Sequence, residues 1–86
     1  MSITTSMKEI YTVIRKQPML DIISGKKKIE YRDKSEYWQS RFKNIQTPFI
    51  MRLRNGYNKD AKEISIVIKK IVITDCYELH IDKVFA

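Results

Sequence analysis

The chain has little of what usually staples, anchors or activates a small protein. Of its 86 residues only one is cysteine and one histidine. A single Cys76 excludes an internal disulfide and favours a reducing compartment, here expected to be the cytoplasm. Neither Cys76 nor His80 has a companion at metal-ligand spacing, so no metal site is expected. Ser24 lacks a G-x-S-x-G setting and a histidine partner, which excludes the common serine hydrolases. No cofactor is expected, and no signal peptide is visible. The longest apolar-rich run, Ile64 to Ile73, is broken by Lys69-Lys70 and is too short to cross a bilayer, so no membrane partner is expected. There is no linker, repeat or low-complexity stretch. The reading is one domain over 1–86, with a modest core, because a domain of this size buries only about 60–65% of its unfolded surface.

Positive charge is what the chain does have. Seventeen Lys and Arg stand against ten Asp and Glu, a net +7. The excess is uneven. Val72 to Ala86 holds three acids and one base, so the first 71 residues carry +9. A small basic domain points to a polyanion, most often nucleic acid.

The two glycines and two prolines punctuate the chain. Ile10 to Arg15 is rich in β-branched residues and reads as a strand. Pro18 to Ser24 reads as a short helix, with proline at its start and Gly25 past its end; Met19, Leu20, Ile22 and Ile23 form its buried side. Lys28 to Arg32 is a second strand. Asp33 and Glu36 have capping-box spacing, with Asp33 as the cap of a helix over Ser35 to Phe42; Trp38 and Phe42 share its core face. Thr47-Pro48 breaks the pattern. In Phe49 to Arg54, Phe49, Met51 and Leu53 alternate with Ile50, Arg52 and Arg54. Asn55-Gly56 opens a hairpin loop that runs to Lys62. Ile64, Ile66 and Ile68 share a face, and beyond Lys69-Lys70 the apolar phase shifts to Ile71 and Ile73, which predicts a β-bulge or sharp bend. Leu79 to Phe85 reads as the last strand. Met1 to Ser6 lacks a packing pattern and is expected to fray. The order β-α-β-α-β-β-β predicts an α+β domain: a small, curved, mostly antiparallel β-barrel with two short flanking helices.

The segment Gly25-Lys26-Lys27-Lys28-Ile29-Glu30-Tyr31-Arg32 is the most informative in the chain. Strand alternation puts Lys28, Glu30 and Arg32 on one face and Ile29 and Tyr31 on the other. The expectation is that Ile29 and Tyr31 face the core while the charged side lines a cleft. Lys27 falls where helix gives way to strand, where an ammonium group and backbone amides suit a phosphate. Glu30 and Arg32 either pair with each other or offer an acceptor and a fork of donors to a base and a phosphate. A lysine beside a carboxylate also permits nucleophilic or acid–base chemistry.

Gly25, Lys27, Glu30 and Arg32 fit the pattern G-x-K-x-x-E-x-R. With the preceding Pro18-Met19-Leu20-Asp21-Ile22-Ile23-Ser24 and with Arg54-Asn55-Gly56-Tyr57 after an alternating strand, this resembles the ASCH domain family of the PUA-like superfamily. The resemblance covers roughly Tyr11 to Ile73. It implies a small β-barrel flanked by helices, a cleft beside the motif and an association with RNA binding. Some members resemble nucleases, and others are amidohydrolases acting on acetylated cytidine. In the latter, a lysine matching Lys27 acts with a threonine and a distant glutamate. Glu30 occupies the threonine's position here, and Glu63 is the candidate for the distant acid. That departure argues against the same reaction.

The leading expectation is a nucleic-acid-binding module for RNA or a single-stranded or modified base. Its site would comprise Lys26, Lys27, Lys28, Glu30 and Arg32, with Arg52, Arg54 and Tyr57 assisting. Arg52 and Arg54, on one face of a strand, form a possible phosphate stripe, and Tyr57 either stacks on a base or pins its loop. The alternatives are a hydrolase on modified nucleosides or RNA using Lys27 and Glu30, or a viral or mobile-element protein that binds and blocks a host nucleic-acid enzyme. Monomer and dimer both remain open.

Overall fold

The computed structural model describes residues 7–86. The expected fraying of Met1 to Ser6 lies outside the described residues. Seven elements follow in the predicted order: β1 (Glu9–Val13), α1 (Lys16–Ile23), β2 (Ile29–Arg32), α2 (Glu36–Phe42), β3 (Phe49–Arg54), β4 (Glu63–Ile73) and β5 (Tyr77–Phe85). The strands form one sheet in the order β1-β3-β4-β5-β2. Only β1 and β3 run parallel; the other neighbours are antiparallel. The sheet curls into a half-barrel whose two edges, β1 and β2, do not pair with each other.

Alternation explains the core. Phe49, Met51 and Leu53 of β3 are fully buried, as are Ile66 and Ile68 of β4 and Leu79 of β5. Met19 and Ile22 from α1 and Trp38 and Phe42 from α2 join the same cluster. Trp38 and Phe42 stack with ring centroids 5.2 Å apart, and Phe42 meets Tyr77 edge-on at 4.9 Å. The phase slip expected near Lys69-Lys70 is present. Ile68 pairs with Ile81 and Lys70 with His80, so Lys69 is the extra residue of a bulge. A second irregularity sits just before it: Val67 faces Lys83 while Ile68 faces Ile81, leaving Asp82 over. Two bulges close together sharpen the twist of the β4–β5 ladder and curl the sheet.

Several local expectations change. α1 begins at Lys16, so Pro18 occupies the first turn, where its missing N–H would have no helical acceptor anyway. Leu20 of α1 is exposed rather than buried. The cap of α2 is Ser35, whose Oγ accepts from the Trp38 amide at 3.4 Å; Asp33 instead accepts from the Ser35 amide through Oδ1, also at 3.4 Å. β5 starts two residues early because Tyr77 pairs with Arg32 and with Ile73. The facing of β2 also differs. Glu30 is only 6% exposed, and its cross-strand partner is the buried Leu79. Tyr31 is 51% exposed, and Ile29 is only half-buried. Glu30, not Tyr31, turns toward the interior because it finds two cations there.

Candidate functional site

The unpaired edges of the half-barrel leave a cleft of about 600 Å³ between them. The end of β1 and the following Ile14 and Arg15 form one wall. Lys27, Glu30 and Arg32 form the other, and Asn55, Gly56 and Tyr57 close the rim.

The helix end places Lys27. The Gly25 amide donates to Ile22 O at 3.1 Å and the Lys27 amide to Asp21 O at 3.0 Å, with Gly25 at φ +85° making the reversal. A side chain at that φ is strained, which is why glycine stands there. Because the Lys27 amide is spent on the helix, this residue offers its ammonium group rather than its backbone. Lys27 Nζ lies 3.4 Å from Glu30 Oε1 and 5.2 Å from the centroid of the Tyr31 ring.

Arg32 completes the group. Its Nη2 is 2.7 Å from Glu30 Oε2, and the guanidinium lies 5.2 Å from the Trp38 ring centroid. The ion pair is close but not aligned as a hydrogen bond. Among the described residues, buried Nε and Nη2 of Arg32 have no aligned acceptor. Two cations and one carboxylate thus meet on one wall, with Arg15 exposed on the other. The cleft lining holds three bases and one acid. Such a wall can accept one hydrogen bond from a ligand and donate several.

The remaining expected site residues lie elsewhere. Lys26 and Lys28 are exposed beside a shallow hollow with Lys27, Ile29 and Tyr31. Arg52 is on the outer face of β3. Its Nε donates to Glu9 Oε1 at 2.7 Å, its Nη1 reaches Glu63 Oε2 at 3.5 Å, and its guanidinium lies 5.6 Å from the Tyr11 ring centroid. Arg54 follows on the same face. Its Nη2 donates to the carbonyls of Asn58 and Lys59 at 3.0 and 3.2 Å, and its Nε is 3.7 Å from Glu63 Oε1. The Arg52 N–H groups hold the Glu9 carboxyl below its ordinary value of 4.5, and Glu9 in turn raises Arg52. Arg54 latches the 55–62 loop, and Asn55 ties it to β1 by donating through Nδ2 to Ile14 O at 3.0 Å. Tyr57 stands on the rim, 88% exposed.

Lys27, Glu30, Arg32 and Tyr57 therefore share the cleft, and Arg52 and Arg54 line a neighbouring groove. Sequence reasoning missed Arg15 as a wall residue and Trp38 as the support of Arg32. Arg15 carried no signal beyond its charge, whereas Trp38 was legible as a core residue but not as the ring under an arginine. Glu63 sits on the outer face, away from the cleft. Among the described residues, no three His, Cys, Asp or Glu side chains gather as a metal site would need, and no helix is long and apolar enough to cross a membrane. No family model, curated protein or solved structure matches the chain.

Proposed function

We propose that the protein is a nucleic-acid-binding module of the ASCH type, with a PUA-like half-barrel that takes RNA or another single strand into the cleft between β1 and β2. The observation that carries this reading is the charged lining of the cleft: Lys27 and Arg32 both meet Glu30, Arg32 is backed by Trp38, and Arg15 stands opposite, so three cations face one carboxylate that can itself accept. A nucleotide supplies the complement, acceptors on phosphate and base edge for the arginine and a base N–H for Glu30. The +9 carried by the first 71 residues supplies the long-range attraction. An unpaired or modified base suits the site better than a duplex, because a cleft admits a splayed base and neither helix is long enough to read a groove. The hydrolase reading is weaker. It needs a second acid near Lys27 and Glu30, and Glu63 is engaged by Arg52 and Arg54 on the other face of the sheet.

The test is a titration with mixed-sequence RNA and DNA oligonucleotides across a range of salt concentrations. Trp38 is the sole tryptophan and lies against Arg32, so its fluorescence reports on the cleft. Binding is expected at low salt and is expected to weaken steeply as salt rises. Lys27→Ala should flatten the slope of log affinity against log salt by about 0.7, the value for one single-strand phosphate contact. Absence of binding to every oligonucleotide at low salt would sink the reading.

A further inference from the structure

We propose that the groove outside the cleft is a base-stacking subsite, so that the ligand is a strand of at least two nucleotides draped over the Gly56–Tyr57 lip. This inference rests on the reading of the cleft as a nucleic-acid site and deepens it.

The two concavities are contiguous. The outer groove, about 230 Å³, shares Val13, Gly56 and Tyr57 with the cleft. A chain leaving the cleft over that lip passes straight into the groove. The groove is smaller than the ~300–1,000 Å³ typical of whole drug-sized ligands and matches one planar ring system better.

Their charges differ in kind. In the cleft, Arg15, Lys27 and Arg32 outweigh Glu30. In the groove, Arg52 is engaged by Glu9 and Glu63, and Arg54 by Glu63 and two loop carbonyls. Glu9, Arg52, Glu63 and Arg54 alternate in sign and sum to zero, so a phosphate gains little there. A neutral, flat group gains more, because the groove offers its two exposed aromatic rings, Tyr11 and Tyr57, without the net charge that accompanies Tyr31 and Tyr57 in the cleft.

The groove's rings are Tyr11 at 59% exposure and Tyr57 at 88%. Tyr11 is already oriented: its hydroxyl donates to Glu9 Oε1 at 3.2 Å, and the Arg52 guanidinium lies over its ring. Tyr57 follows Gly56, at φ +107°, in a loop latched by Arg54 and Asn55. A ring held in place before binding, as that of Tyr11 is, loses little freedom when a base stacks on it. Stacking of one base on one aromatic side chain typically changes affinity by roughly ten-fold or more. The cleft thus takes phosphate and a base edge, and the groove takes the next base by its face.

Uridine monophosphate, the dinucleotide UpU and a uridine hexamer, with their adenine counterparts, test the inference. The dinucleotide and hexamer are expected to bind roughly ten-fold more tightly than the monophosphate at equal salt. Tyr57→Ala should remove that difference, weakening the dinucleotide and hexamer roughly ten-fold more than the monophosphate. Tyr57→Phe should retain it. Equal affinity for mono- and dinucleotide overturns the inference but leaves the cleft reading standing. The same holds for a Tyr57→Ala effect that is equal on both ligands. No binding by any nucleotide or oligonucleotide overturns both.

Discussion

Glu30 turns inward because two cations meet it there. A carboxylate moved out of water costs several kcal/mol unless it is paired, and Lys27 at 3.4 Å with Arg32 at 2.7 Å provides the pairing. Residue type alone points Ile29 and Tyr31 to the core and Glu30 away from it. The decisive contacts come from a turn residue and from an arginine propped by Trp38 in another element, and no local pattern carries that information. That Glu30 and Arg32 line a cleft was legible, but the burial of Glu30 was not, and Lys28 falls outside the cleft while Tyr31 lines it. Glu9 behaves in the opposite way, as an exposed acid whose partner is plain only in the register between β1 and β3. Arg52 keeps the folded carboxyl below its ordinary value of 4.5. Such a group contributes stability above its unfolded value and loses that contribution as pH falls through the folded one. Wild type is therefore expected to exceed Glu9→Gln in urea midpoint near neutral pH. The gap should narrow as the pH falls below 4.5. A gap unchanged over that range would count against the Glu9–Arg52 pair.

At the scale of elements, the start of α2 separates two candidate caps. Ser35 and Asp33 both precede the helix, and only Ser35 reaches the Trp38 amide. Ser35→Ala is expected to lower unfolding free energy by about 1 kcal/mol, the usual worth of a side-chain cap. Asp33→Ala should cost appreciably less, as read from chemical denaturation of the two variants. Equal losses would return the cap to Asp33. The strands were the most legible elements. The alternation of Phe49, Met51 and Leu53 against Arg52 and Arg54 is the observed division between core and outer face, and the shift after Lys69-Lys70 is an observed bulge. The irregularity at Asp82 went unread, although the apolar phase of β5 shifts there, from Leu79 and Ile81 to Val84 three residues on, all packed against the core. The start of β5 at Tyr77 was missed because its first residues are placed by pairing with β2 and β4, across long stretches of chain.

For the whole molecule, the meander β3–β4–β5 is the best-buried part. It contains the eleven-residue β4 and most of the fully buried side chains, whereas the edges are the five-residue β1 and four-residue β2. Local opening draws on regions with short ladders and little burial. Amide hydrogen exchange should therefore be slowest in β3, β4 and the first half of β5 and fastest, among strands, in β1 and β2. Uniform protection across the sheet would contradict this. Strand order was not legible in the sequence. Nothing local indicates that β1 docks beside β3 while β2 crosses to the far side of β5, although adjacency of β3 and β4 followed from the hairpin loop between them. That crossing has a mechanical consequence. Segments close along the chain, 9–13 and 29–32, become the two loose ends of the sheet, with the cleft as the seam between them. A molecule lodged in the seam grips both ends at once and serves as a sixth, non-peptide stave. Its affinity then becomes cohesion of the half-barrel, so occupancy and integrity of the fold rise together.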